Sequence, residues 1–191
     1  MKKYSDEQFV SRRTLYDSGL SPYKINKLVE EGKLNPINRN YFENSGYDGD
    51  INEFSIVSVY APKGVVCLTS AAVYHGLSSS RPLLIDVALP RRSRIPKSPQ
   101  WPEMKFYLFT DERYSTGIET IVEGNNEYMI YDVEKTVCDM IFYRNKLGFE
   151  PAIEVLKNYV KRPDRNINKL MEYAKKLRCA KLLREYLEVM V

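Results

Sequence analysis

An α+β fold in two modules is predicted for this 191-residue chain by three features of the sequence. Two short helical patterns joined by a glycine turn come first. Short β-type runs separated by turns fill the middle, and from Val133 onward the apolar spacing is helical. A composition of 43% hydrophobic and 28% charged residues describes a globular protein able to bury a proper core. Between Asn44 and Asn52 the stretch NSGYDGDIN loses its apolar periodicity, which marks a boundary between a module at 1–46 and a larger one at 52–191.

In the first module, EQFVSRRTLYDSGL places Phe9, Val10, Arg13, Leu15 and Tyr16 at helical spacing until Gly19 interrupts it. Ser21 then offers an N-cap and Pro22 a first helical position, after which Ile25, Leu28 and Val29 form an apolar stripe ending before Gly32. KLNPINRNYFE reads as a short hairpin with Leu34, Ile37 and Tyr41 inward and Asn38, Arg39 and Asn40 at its tip. Two helices, a tight turn and a hairpin make a winged helix-turn-helix.

The larger module opens with a helix over INEFSIVSVYAP, ended by Pro62. A buried strand at GVVCL and a short helix at TSAAVYHGL follow, the helix capped by Thr69 or Ser70 and stopped by Gly76. Strands are expected at 83–89, 104–109, 118–122 and 127–131, the last two joined through EGNN. Four amphipathic helices close the chain as a bundle. Their stripes are Val133, Val137, Ile141; Ile153, Leu156, Tyr159; Leu170, Met171, Ala174; and Leu183, Tyr186, Leu187, Met190.

Several function classes are disfavoured. Apolar runs such as LLIDVAL fall far short of the ~20 residues of a membrane span, and MKKYSDEQF has no apolar signal-peptide stretch, so a cytoplasmic location is the default expectation. Cys67, Cys138 and Cys179 are odd in number, widely spaced and flanked by apolar residues, as expected of small buried hydrophobes. No phosphate-binding glycine loop is present.

The one histidine, His75, lies in LTSAAVYHGLSSSRP among serines. Ser70 is five positions away on the same predicted helix, which at ~100° per residue sets the two about 140° apart, too far around the axis to pair as nucleophile and base. His75 is therefore expected to pack or hydrogen-bond at a helix end. Asp86 in a strand, with Glu103 and Lys105 entering the next, resembles the carboxylate–carboxylate–lysine arrangement with which some nucleases hold Mg²⁺ beside a phosphate. E-x-K is short enough to arise by chance in this chain, and a salt-bridged solvated face explains it equally simply.

Nucleic-acid binding has more support. The formal net charge is +4, and the first module carries Lys2, Lys3, Arg12, Arg13, Lys24, Lys27, Lys33 and Arg39. With Ile25, Leu28 and Val29 inward, Ser21, Tyr23, Lys24 and Lys27 fall on the outer face near the helix N-terminus, where recognition helices meet bases and phosphates. Asn38, Arg39 and Asn40 are placed to reach a backbone or minor groove. Glu30 and Glu31 on the same helix are what a plain solvated face would show. A second basic run, Arg91, Arg92 and Arg94, is either another nucleic-acid surface or a solvated loop.

GLSPYKINKLVEEGKLNPINRNYFE, then GVVCLTSAAVYHGLSSSRPLLIDVALPRRSR, YDVEKTVCDMI and LMEYAKKLRCAKLLREYLEVM together resemble, in order, the AbiEi family of antitoxins, winged-helix regulators of abortive-infection (phage-defence) toxin–antitoxin systems. The central SA…HGL…P…I.VALP and the later YDVEKTV.D are the most specific parts. The resemblance implies a bacterial cytoplasmic protein whose N-terminal module binds inverted repeats in its own promoter and represses the operon. It further implies a C-terminal domain that opposes a nucleotidyltransferase-like toxin without a stable complex, and neither catalytic activity nor cofactor. The reading segment would run from Ser21 to Glu31, with the wing near Asn38–Asn40. Asn40 stands where the family often has Gly before the wing tyrosine.

Overall fold

The computed structural model describes residues 6–49, 52–80, 82–123 and 126–190. Lys2, Lys3 and the centre of the EGNN turn lie outside the described residues, as does the side chain of Met190. The protein is α+β and divides into two compact units, one of Met1–Pro62 with Ile121–Tyr128, the other of Lys63–Thr120 with Met129–Val191.

The first unit begins with a strand where helical spacing was expected. β1 (Phe9–Ser11) pairs antiparallel with β3 (Tyr41–Asn44), Val10 opposite Phe42. The apolar pair Phe9–Val10 fits a half-buried strand as well as a helix, and Ser11 ends it by capping α1 (Arg12–Asp17): its hydroxyl accepts from the Thr14 N–H at 2.9 Å. A turn through Gly19 leads to α2 (Pro22–Glu30), and β2 (Leu34–Pro36) returns along β3 to complete a sheet of order β1-β3-β2. Val10, Leu15, Ile25, Leu34 and Phe42 form its core, with Leu28 and Val29 packed against it. Phe42, not Tyr41, is the inward aromatic of the hairpin, because Phe42 faces the core from the central strand. α3 (Ser55–Tyr60) packs on β1, so this unit extends past the turn at 44–52 to Pro62.

The second unit is built on a mixed sheet of order β6-β5-β4-β8-β7, from β4 (Val65–Val66), β5 (Ile85–Pro90), β6 (Met104–Phe109), β7 (Ile118–Glu123) and β8 (Asn126–Tyr131). β4 runs antiparallel to β5 and parallel to β8; β5 and β6 are parallel, with Asp86 beside Lys105 and Pro90 beside Phe109. α4 (Leu68–Tyr74) follows β4. Neither Thr69 nor Ser70 caps it: Cys67 holds that position, and the buried Ser70 hydroxyl instead accepts from the Asp86 N–H at 2.9 Å. A helix that the sequence left unread, α5 (Asp111–Ser115), follows β6. The expected helical tail comprises α6 (Val133–Phe142), α7 (Arg144–Leu147), α8 (Phe149–Lys161), α9 (Ile167–Lys176) and α10 (Ala180–Met190). Their apolar faces close one core around Val137, Ile141, Leu156, Tyr159, Leu170 and Leu183. Cys67, Cys138 and Cys179 are free thiols in the interior.

Candidate nucleic-acid interface

Ser21 fixes where α2 begins. Its hydroxyl accepts from the Lys24 N–H at 3.4 Å, and Pro22 occupies the first turn, where a missing N–H costs nothing. Because Ile25 is fully buried and Leu28 and Val29 lean on the same core, Tyr23, Lys24 and Lys27 are left in solvent, Tyr23 77% exposed. Lys27 lies 4.0 Å from Glu31, which Lys33 reaches at 2.7 Å. The Lys33 hydrogen bond holds the Glu31 carboxyl below its ordinary pKa, so an anion tempers the positive charge at the C-terminal end of this face.

The tip of the β2–β3 hairpin is internally bonded. The Asn38 side-chain oxygen accepts from the N–H groups of Asn40 (2.9 Å) and Tyr41 (3.0 Å), an Asx turn, while its Nδ2 donates to the Val59 carbonyl at 3.2 Å. Arg12 is half-buried: its Nε donates to the Arg39 carbonyl at 3.1 Å and its guanidinium lies 4.8 Å from the Phe42 ring centroid. Arg12 and Asn38 thus shape the tip, and the side chains presented to solvent there are Arg39 and Asn40. Arg13 points outward, 3.8 Å from Asp17. Of the predicted set on this unit, Ser21 caps α2 and Arg12 and Asn38 are engaged at the hairpin tip, while Tyr23, Lys24, Lys27, Arg39 and Asn40 face solvent, as does Arg13 beside Asp17.

The remaining candidates belong to the second unit. Arg91, Arg92 and Arg94 are exposed just after β5. Asp86 is buried and accepts from the Tyr107 hydroxyl at 3.0 Å, whereas Lys105 and Glu103 are exposed. Burial raises the Asp86 pKa, with the Tyr107 hydrogen bond opposing. No group of three or more His, Cys, Asp or Glu among the described residues is placed to hold a metal ion. His75 shares a 2.7 Å hydrogen bond between its Nε2 and the Tyr131 carbonyl, and its own carbonyl accepts from Arg162.

Sequence reasoning missed a buried charge cluster. Asp139 on α6 accepts from both Lys135 and Arg113. Lys135 and Asp139 are fully buried. The Lys135 ammonium lies 3.8 Å from the Tyr131 ring centroid, and the Arg113 guanidinium 3.8 Å from that of Phe142. Burial draws Lys135 below the ordinary lysine pKa, with Asp139 opposing. The i, i+4 spacing of Lys135 and Asp139 on an apolar helix was the available signal; Arg113 lay in the unread α5.

No protein-family model matches the chain, and no curated protein matches its sequence. Among solved structures it is similar to the crystal structure of RV2827C protein from Mycobacterium tuberculosis, with a TM-score of 0.54 and 11% identity over 95% of this chain and 76% of that one. At that identity the likeness is one of fold. No helix among the described residues is long and apolar enough to cross a membrane.

Proposed function

We propose that this protein is a non-enzymatic antitoxin and DNA-binding autorepressor of a toxin–antitoxin operon, acting in the cytoplasm against a nucleotidyltransferase-like toxin. The observation that carries the reading is the first unit, whose order β1-α1-α2-β2-β3 and three-stranded antiparallel sheet suit a winged helix-turn-helix. In this reading α2 enters the major groove with Tyr23, Lys24 and Lys27 foremost, and Arg39 at the hairpin tip takes a phosphate or the minor groove. The antitoxin assignment leans on the AbiEi-like motifs in the second unit.

The test is binding to the DNA upstream of the gene across a salt series. Each phosphate contact contributes about 0.9 to the slope of log affinity against log salt, so replacing Lys24, Lys27 and Arg39 with Ala should weaken binding and flatten the slope by up to ~2.7. An unchanged affinity and slope would remove α2 and the hairpin tip as the reading surface.

The alternative is a metal-dependent nuclease using Asp86, Glu103 and Lys105, which the pairing of Asp86 with Lys105 favours. Against it, Asp86 is buried and its carboxylate already accepts from the Tyr107 hydroxyl, whereas Glu103 and Lys105 are exposed. Cleavage of DNA or RNA with Mg²⁺ or Mn²⁺ that disappears in Glu103→Ala would reverse the choice.

A further inference from the structure

We propose that the second unit binds a nucleoside phosphate, with the base against Phe142 and the phosphates on Lys176 and Arg178. The site is a cavity of about 390 Å³ walled by the end of β6, by α5, by the last turn of α6 and by the turn after α9. That volume lies within the ~300–1,000 Å³ of ordinary small-molecule sites.

Its walls carry the two chemistries such a ligand needs. Phe142 is 41% exposed, and its ring is held in place by the Arg113 guanidinium at 3.8 Å and edge-on by Tyr143 at 4.9 Å. Tyr143 in turn stacks on Phe109 with centroids 5.6 Å apart. A partly exposed ring backed by a rigid aromatic stack is a platform for a base. Around it stand Lys176 and Arg178, both exposed, and Arg113, whose Nη2 donates to the Leu177 carbonyl at 2.9 Å and so ties the α9 turn to this wall. Arg113 and Lys135 share the Asp139 carboxylate, so this cluster of three carries one formal positive charge in excess beside the cavity. Glu112 is the acidic side chain in the lining. It would repel phosphate but accept from an exocyclic amine, which favours adenine, cytosine or guanine over uracil.

Arg178 is set in a conformation that a helix end normally gives to glycine. The Arg178 N–H donates to the Lys175 carbonyl and the Cys179 N–H to that of Ala174, the paired bonds of a Schellman turn, with Arg178 at φ 59°. The equivalent turn after α4 has Gly76. A long cation held in a strained backbone at a cavity rim is better explained by a ligand than by the turn itself. The basic loop has a place here too. Pro90 pairs with Phe109, so Arg91, Arg92 and Arg94 leave the sheet at the end where β6 meets the cavity and extend its positive field toward further phosphates.

The ligand could be a free nucleotide or one nucleotide of a single strand, and neither depends on the DNA reading of the first unit. Calorimetric titration of the full chain with ATP, UTP, adenosine, inorganic triphosphate and a short single-stranded RNA tests the site. ATP should bind saturably, UTP more weakly, and adenosine and triphosphate at least tenfold more weakly. Arg178→Gly should lower ATP affinity about tenfold while leaving the melting temperature unchanged or higher, since glycine relieves the turn. RNA binding that exceeds that of ATP and falls in both Arg178→Gly and an Arg91/Arg92/Arg94→Ala variant identifies a single strand; indifference to the loop variant identifies a free nucleotide. The proposal is overturned if no probe binds saturably, if inorganic triphosphate binds as tightly as ATP, or if Arg178→Gly binds like the parent protein.

Discussion

His75 turns from a catalytic candidate into a pH-sensitive bond within the second unit. Its Nε2 meets a carbonyl, which can only accept, and burial favours the neutral ring, lowering its pKa from the usual histidine value against the pull of the Tyr131 hydrogen bond. The folded pKa thus lies below the unfolded one, so the unfolded chain takes up a proton first as pH falls. The stabilisation is complete above about pH 6.5 and is lost progressively below it. His75 is the sole histidine of the chain, the side chain whose ordinary pKa falls in this window. The melting temperature should fall between pH 7.5 and 5.5, and His75→Gln should flatten that fall; an equal fall in the variant would assign it to another group. The sequence excluded Ser70 as a partner by helix geometry alone, but Tyr131, 56 positions away, was beyond its reach.

α6 shows how far periodicity carries and where it stops. Val133, Val137 and Ile141 were legible as one stripe, yet every residue from Glu134 to Ile141 is buried, because α4, α8 and α9 all pack on this helix. Its polar residues survive burial by pairing. Asp132 caps the helix by accepting from the Lys135 N–H at 2.8 Å, and its second oxygen accepts from the Tyr173 hydroxyl and from Lys169, both at 3.1 Å. Burial works to lower the Lys169 pKa, but the hydrogen bonds its ammonium donates to Glu134 and Asp132 raise it overall. Three-residue strands such as β1 were illegible for the opposite reason, being too short to establish a period against the helical pattern that overlaps them. A cap is worth ~1 kcal/mol and a hydrogen bond to a charged group ~1.5–3 kcal/mol. Asp132→Ala should therefore lower stability by about 2–4 kcal/mol in urea denaturation. Asp132→Asn, which keeps the capping oxygen but not the charge facing Lys169, should lose roughly half as much; a loss equal to that of Asp132→Ala would mean that the charge alone matters, and no loss that the cap alone does.

At the scale of the molecule, the sequence suggested two consecutive modules, whereas the chain crosses between its units at 62–63 and again around the β7–β8 hairpin. Local pattern carries no record of such a return, since Tyr128 reads as an ordinary strand residue. Yet Tyr128 is only 1% exposed and belongs to the first unit, where its hydroxyl accepts from Asn52 Nδ2 at 3.2 Å and its ring lies 5.9 Å from that of Phe54. The first unit is therefore not contained in residues 1–62. Removing a buried aromatic side chain costs ~3–5 kcal/mol, a large share of what so small a unit can hold. A fragment of residues 1–62 should consequently unfold with low cooperativity and, on the proposed reading, bind the upstream DNA weakly, although it retains Tyr23, Lys24, Lys27 and Arg39. Tyr128→Ala in the full chain should reproduce part of that loss, read as faster amide exchange in β1–β3 than in α6. A fragment that melts cooperatively at the temperature of the intact protein would show that the hairpin contributes nothing to the first unit's stability.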